Sequence, residues 1–254
     1  IYCGQNEGLT DEHVIPLGLG GLFVLPKASC RACAEITSRI EGAVLRGFML
    51  DARSAGGLPT RHPKNRPATT PLQILRGDEF EEIHLQPDQS PGLLLLPILG
   101  RAAFLSGDPP MTGVNVVGYE TIGFGTKKPQ DVASTLGTTA TRTSRNWEIT
   151  EFVRMLAKIG YGYAVAEGGP IPLDEVPVLP LILGTADDGG TWVGSAEYRL
   201  SVEDKRPNHA LGAVQLSAIV DGVTEHVTVA RVKLFSNAGA TGYEVLVRRT
   251  RVPT

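Results

Sequence analysis

Cys3, His13, Cys30 and Cys33 all fall within the first 33 residues, and no cysteine follows in the rest of the 254-residue chain. Thiolates and imidazoles are the usual ligands of zinc, and C-x-x-C at the start of a helix is a common half of a zinc knuckle. A disulfide framework would instead spread an even number of cysteines along a short secreted chain. The clustered, odd set predicts a structural zinc held by Cys3, Cys30 and Cys33. A tetrahedral site takes four ligands. Knuckles are commonly written C-x-x-C-G, and Ile1-Tyr2-Cys3-Gly4 supplies all but the first cysteine, which falls just before Ile1. The expectation is therefore an N-terminus that continues upstream. Asp11 or His62 as the fourth ligand, or a site left unassembled, are the alternatives.

A second chemistry lies between the cysteines. Tyr2-Cys3-Gly4, then Asp11-Glu12-His13-Val14-Ile15-Pro16, then Gly20-Gly21, then Cys30-Arg31-Ala32-Cys33 and an amphipathic run follow in that order. This succession resembles the HNH (ββα-metal) endonucleases, over about the first fifty residues only. The resemblance implies a β-hairpin and a helix that hold one Mg²⁺ or Mn²⁺ ion against a scissile phosphate. His13 matches the family's general base and Glu12 its acidic metal ligand. Histidine, which ordinarily titrates near ~6.5, suits a base at neutral pH, and a divalent ion stabilises the developing charge on the phosphate. Adjacent strand residues face opposite ways, so Glu12 and His13 reach one phosphate only from a distorted hairpin.

The chain departs from the family pattern at two places. Leu25 falls near the position of a second-strand Asn or His, and Ala34-Glu35 stands where an Asn or His follows the second cysteine. Glu35, in the first helical turn, is the candidate replacement oxygen ligand, and Ser29 a candidate phosphate contact. The competing reading is an HNH-like scaffold with weakened or lost cleavage, in which the zinc knuckle serves folding and His13 has no turnover role.

The overall charge is −3, but from Lys27 to Arg66 eight basic residues (Lys27, Arg31, Arg39, Arg46, Arg53, Arg61, Lys64, Arg66) face three acidic ones (Glu35, Glu41, Asp51). A local positive field is enough to bind a phosphate backbone. Lys27, Arg31, Arg61, Lys64 and Arg66 are the candidate nucleic-acid contacts, with DNA the expected partner. His62 reads as a solvated loop histidine, and His84, His209 and His226 as structural or incidental. With 42% hydrophobic residues the chain can bury a large core. Its longest apolar run, Leu93 to Leu99, is too short to cross a bilayer, so no membrane partner is expected. No basic-then-apolar leader precedes the first motif, and a set of free thiols suggests a reducing cytoplasm.

The elements that must position these groups follow from periodicity. Cys30 to Leu50 reads as a helix with Ile36, Ile40, Ala43, Val44, Phe48 and Met49 on one face, weakened by Gly42 and Gly47. Residues 56–70 read as an extended basic, proline-rich linker. Beyond it, Phe80 to Leu85, the Leu93 to Leu96 run and Val114 to Ile122 read as strands, and Lys127 to Arg145 as exposed or loosely ordered. A second helix is expected over Glu148 to Ile159, closed by Gly160, with Glu151, Arg154 and Lys158 on its outer side. Pro180 to Leu183, Thr191 to Val193, Gly212 to Val220, Thr224 to Phe235 and Tyr243 to Arg249 read as sheet, with Asp221-Gly222 as a hairpin turn.

The expected fold is α+β: an N-terminal ββα-metal zinc-knuckle module (1–55), the linker (56–70), and a mainly antiparallel β-rich α+β domain (71–254). The last carries no motif of its own and is a candidate surface for a protein partner. The functional expectation is metal-dependent hydrolysis of DNA phosphodiesters, and the alternative is a weak or inactive zinc-knuckle module that binds nucleic acid or protein.

Overall fold

A computed structural model describes residues 1–142, 145, 147–196, 209–220 and 223–251. The protein is α+β, and among the described residues every strand pairing is antiparallel. Strands β1 (Leu9–His13) and β2 (Val24–Cys30) form a hairpin that runs directly into helix α1 (Arg31–Arg46) and the shorter α2 (Leu50–Ala55). Then come β3 (Thr70–Arg76), β4 (Glu79–Leu85), β5 (Leu93–Leu99), α3 (Ala103–Ser106), β6 (Val116–Gly123), α4 (Pro129–Leu136) and β7 (Thr141–Arg142). The last part contains α5 (Ile149–Gly168), α6 (Leu179–Leu183), α7 (Gly189–Trp192), β8 (Val193–Ala196), β9 (His209–Val220), β10 (Val223–Leu234) and β11 (Gly242–Arg251). The largest sheet has the order β8-β11-β10-β9; β4-β3-β7 and β5-β6 make two smaller ones. The expected Asp221-Gly222 turn lies outside the described residues, but the strands flanking it pair with Val220 opposite Val223.

Helix α5 organises the molecule. It packs against α1 on one side and against β10 and β11 on the other. One hydrophobic core consequently draws Tyr2, Val14, Ile40, Val44 and Phe48 from the first 55 residues together with Phe152, Leu156, Val232 and Val245 from the rest.

Four sequence expectations are corrected here. Helix α5 does not stop at Gly160 but continues to Gly168. A Cβ on residue 160 would sit 3.0 Å from Val245 Cβ and 3.2 Å from Ala230 Cβ, so this glycine serves close helix-to-sheet approach, not termination. Pro180 to Leu183 is helical, not strand: Pro180 occupies the first turn and Gly184, at φ 78°, ends α6 in the left-handed region. The same Pro-first, Gly-last arrangement makes Pro129–Leu136 a helix inside the segment read as loose, with Gly137 at φ 63°. Thr191 and Trp192 likewise belong to α7, and only Val193 of that stretch is strand.

His209, at the start of β9, is structural as expected and couples the large sheet to the turn after β1. Its Nδ1 accepts the Phe235 backbone N–H at 3.2 Å, so Nε2 carries the proton and donates to the Leu19 carbonyl at 2.8 Å. Burial holds its pKa below the ordinary histidine value, against the opposing pull of the Leu19 carbonyl. As pH falls below about 6.5, the unfolded chain takes up a proton that the folded one resists, so the native state loses up to ~1.4 kcal/mol per pH unit from this residue. Stability measured by denaturant between pH 7 and 5 is expected to fall along that slope, and to fall less steeply in His209→Gln. Equal slopes would assign the acid sensitivity to other groups.

Candidate metal centre and the buried lysine beside it

The strand end and helix start at Cys30 place two of the three thiols, and the N-terminal segment brings the third. Cys30 is the N-cap of α1 and Cys33 lies in its first turn. Tyr2 anchors Cys3: its ring is buried and packs 5.8 Å from that of Tyr161, whose hydroxyl donates to the Ile1 carbonyl at 2.6 Å. The Ile1 amino group in turn donates to the Ala28 carbonyl. The Cys3 and Cys30 sulfurs are 3.6 Å apart, and all three sulfurs lie within 4.8 Å of one another. A tetrahedral zinc with bonds of ~2.3 Å would hold its sulfurs ~3.8 Å apart. The three sulfurs are close enough together to hold a metal ion. Among the described residues no fourth His, Cys, Asp or Glu joins it, so neither Asp11 nor His62 completes the set. Asp11 instead accepts the Lys27 backbone N–H at 3.0 Å.

The pKa values of Cys30 and Cys33 are shifted in opposite directions. The Cys33 backbone N–H at the helix start, followed by the Cys3 thiol, holds the Cys30 pKa below its ordinary value. Burial, followed by hydrogen bonding with Cys3 and Cys30, pushes Cys33 up to about 12. A cation that binds here must displace the Cys33 proton.

The hairpin is irregular, with a register shift between Thr10 and Glu12. The distortion buries Glu12, while His13 stays half-buried. The Glu12 carboxylate accepts from Lys158 Nζ at 2.8 Å, and Glu41 of α1 accepts from the same nitrogen at 2.8 Å. Lys158 also donates to the carbonyls of His13 and Val14. Sequence periodicity placed Lys158 on the outer side of its helix; it is 1% exposed. The reason is that α5 is buried nearly all round, so the position that faces β1 and α1 is interior, and two carboxylates and two carbonyls receive the ammonium there. Burial depresses the lysine pKa, but Glu41 and Glu12 outweigh it and hold the group above the ordinary lysine value.

The other sequence candidates are dispersed. Glu35 is exposed and pairs with Arg31 at 3.2 Å. Ser29 is completely buried and donates to the Cys30 carbonyl, so it faces no phosphate. Lys27 and Arg31 are exposed near the cysteines, whereas Arg61, Lys64 and Arg66 lie on the loop beyond α2. Arg31 and Arg46, at opposite ends of α1, are ~22 Å apart along the helix axis. His13 Nδ1 is buried without a hydrogen-bond partner among the described residues.

With Glu12 engaged by Lys158 and Glu35 by Arg31, the residues expected to hold a catalytic Mg²⁺ or Mn²⁺ do not make up a site. The three thiols lie close enough to hold a metal ion, and a thiolate donor set is of the kind that zinc takes. Sequence reading had no access to Lys158 and Glu41, because a lone lysine and a helix-surface glutamate carry no signal until the tertiary fold brings them together. Among the described residues no helix is long and apolar enough to cross a membrane. In comparisons with known proteins, the chain matches no protein family, no curated protein and no solved structure.

Proposed function

We propose that the protein is a zinc-stapled, HNH-like module that binds the phosphate backbone of nucleic acid, most simply DNA. The observation that carries this reading is the convergence of the Cys3, Cys30 and Cys33 sulfurs, within 4.8 Å of one another, where the hairpin meets α1. Zinc bound there would fix the relative placement of the N-terminal segment, β2 and α1, with a further donor completing the tetrahedron. Lys27 and Arg31, next to the cysteines, would present charge to one stretch of phosphates, and Arg61, Lys64 and Arg66 to another.

If all five side chains neutralise phosphates, affinity should fall with salt at a log–log slope of about −4 to −5 on duplex DNA. Fluorescence anisotropy with a labelled duplex is expected to give that slope, and Lys27→Ala/Arg31→Ala is expected to reduce its magnitude by about 2. A slope near zero, or no binding at low salt, would remove the reading.

A second reading, metal-dependent hydrolysis of DNA, is favoured by one observation: the buried Nδ1 of His13 has no hydrogen-bond partner among the described residues. Supercoiled plasmid with Mg²⁺ or Mn²⁺ decides between the two. Nicking that chelation stops and His13→Ala abolishes supports hydrolysis. Binding without nicking under either metal supports the first reading.

A further inference from the structure

The end of α1 away from the cysteines holds a different concentration of chemistry. A cavity of about 400 Å³ opens between α1, α2, the turn before β2 and the loop after α2, and four arginines line it: Arg46, Arg53, Arg61 and Arg66. None of the four pairs with a carboxylate among the described residues. The one acidic group in the lining, Glu41, is committed to Lys158. Arg53 is held by three backbone carbonyls, those of Gly18 at 2.6 Å, Leu45 at 2.7 Å and Pro59 at 3.0 Å, and Arg66 donates to the Leu58 carbonyl. These bonds fix the guanidinium groups without neutralising them. Burial, then Arg66 and Arg46, holds the Arg53 pKa below the ordinary arginine value.

Two glycines make room for this arrangement. A Cβ on Gly42 would lie 2.5 Å from the Arg46 guanidinium, and one on Gly18 would lie 2.8 Å from that of Arg53. Gly42 sits inside α1, where glycine costs ~1 kcal/mol relative to alanine. The helix thus carries a destabilising residue at the position over which Arg46 lies.

Four guanidinium groups around one cavity, two of them held by backbone carbonyls and none paired with a carboxylate, are a receptor for an anion, and guanidinium matches phosphate geometry with paired hydrogen bonds. The cavity volume falls in the range of small-ligand sites. Internal phosphodiesters carry one charge each and are strung along a strand, whereas these arginines converge on one compact space. We propose that this cavity binds a multiply charged phosphate group, either a free polyphosphate or the phosphorylated end of a nucleic-acid strand. Arg46, Arg53, Arg61 and Arg66 supply the charge, and His62 and Asn65 add polar contacts at the rim.

The probe is inorganic pyrophosphate, titrated calorimetrically into the full chain, Gly42→Ala, Arg46→Gln and Arg61→Gln at low salt. Saturable one-site binding is expected, weakened at least tenfold in Arg46→Gln and Arg61→Gln and by less in Gly42→Ala, where the flexible Arg46 side chain moves aside. The Gly42→Ala protein should unfold at the same or a higher temperature than the parent, because alanine favours the helix, so its weakened binding reports the displaced Arg46 and not a damaged fold. Any heat from pyrophosphate acting on a cysteine-bound metal is common to all four proteins. No saturable binding, or equal affinity in all four, overturns the proposal. Competition by single-stranded oligonucleotides identifies the source. Displacement of pyrophosphate only by a 5′-phosphorylated strand assigns the strand end, and displacement by neither strand assigns the free polyphosphate. Equal displacement by 5′-phosphorylated and 5′-hydroxyl strands also overturns the proposal, since general backbone charge would then explain the binding. The nucleic-acid reading is scored separately, by the salt slope on duplex DNA.

Discussion

Replacing Lys158 with methionine is expected to destabilise the protein by about 3–5 kcal/mol, the range observed when one partner of a buried ion pair is removed. The ammonium is completely enclosed and receives Glu12 and Glu41 at 2.8 Å each. Methionine matches the volume but leaves two carboxylates facing each other inside the protein, Glu12 with a side chain 6% exposed and Glu41 with one 21% exposed. The cost therefore comes from charge without a counter-ion and not from a cavity. Denaturant melts of Lys158→Met and of Lys158→Met/Glu12→Gln/Glu41→Gln test this, and the triple variant is expected to recover most of the loss. The single variant should also speed amide exchange at the end of β1, because Lys158 holds the His13 and Val14 carbonyls. A single variant within ~1 kcal/mol of the parent would mean that the Glu12–Lys158–Glu41 cluster contributes little to stability.

The second large effect concerns the cysteines. Cys33→Ser removes the buried member of the cluster and is expected to abolish stoichiometric zinc binding, since two thiolates cannot make up a structural site. The rest of the chain should stay folded, because Ile40, Val44 and Phe48 anchor α1 in the main core independently of the metal. The thermal midpoint of the parent should rise with added zinc and fall with chelator, as ligand linkage requires, while that of Cys33→Ser responds to neither. With the Cys33 thiol pushed up to about 12, zinc has to displace its proton, so apparent affinity should decline as pH is lowered and binding should release protons. A Cys33→Ser protein that binds zinc as the parent does would dissociate the metal from this cluster.

How much of this was legible in the sequence depended on the range of the signal. The C-x-x-C at the helix start, the amphipathic run of α1 and the long β-branched strands β9, β10 and β11 are local patterns, and they emerged close to their expected bounds. The thiol cluster was legible because cysteine is rare and only three residues had to meet. What failed was the meaning of glycine and proline. Gly160 reads as a stop but is a contact point with Val245 and Ala230, and Pro180 to Leu183 reads as strand although Pro180 sits in the first turn of a short helix. Lys158 failed for a related reason: periodicity identifies an outer face only where a helix has one, and α5 is central. Glu12 carried the motif signal of a metal ligand, yet the same carboxylate is the natural partner of a buried lysine 146 residues away in sequence. Motif spacing cannot separate these roles, because the competing partner comes from a distant element.

The most direct test of the zinc-stapled module is the native mass of the protein purified without chelator. A single species is expected, heavier by one zinc ion with the displaced protons missing, that reverts on acidification to the mass of the chain with three free thiols. A metal-free chain, or one lighter by two hydrogens from a disulfide among Cys3, Cys30 and Cys33, would contradict it.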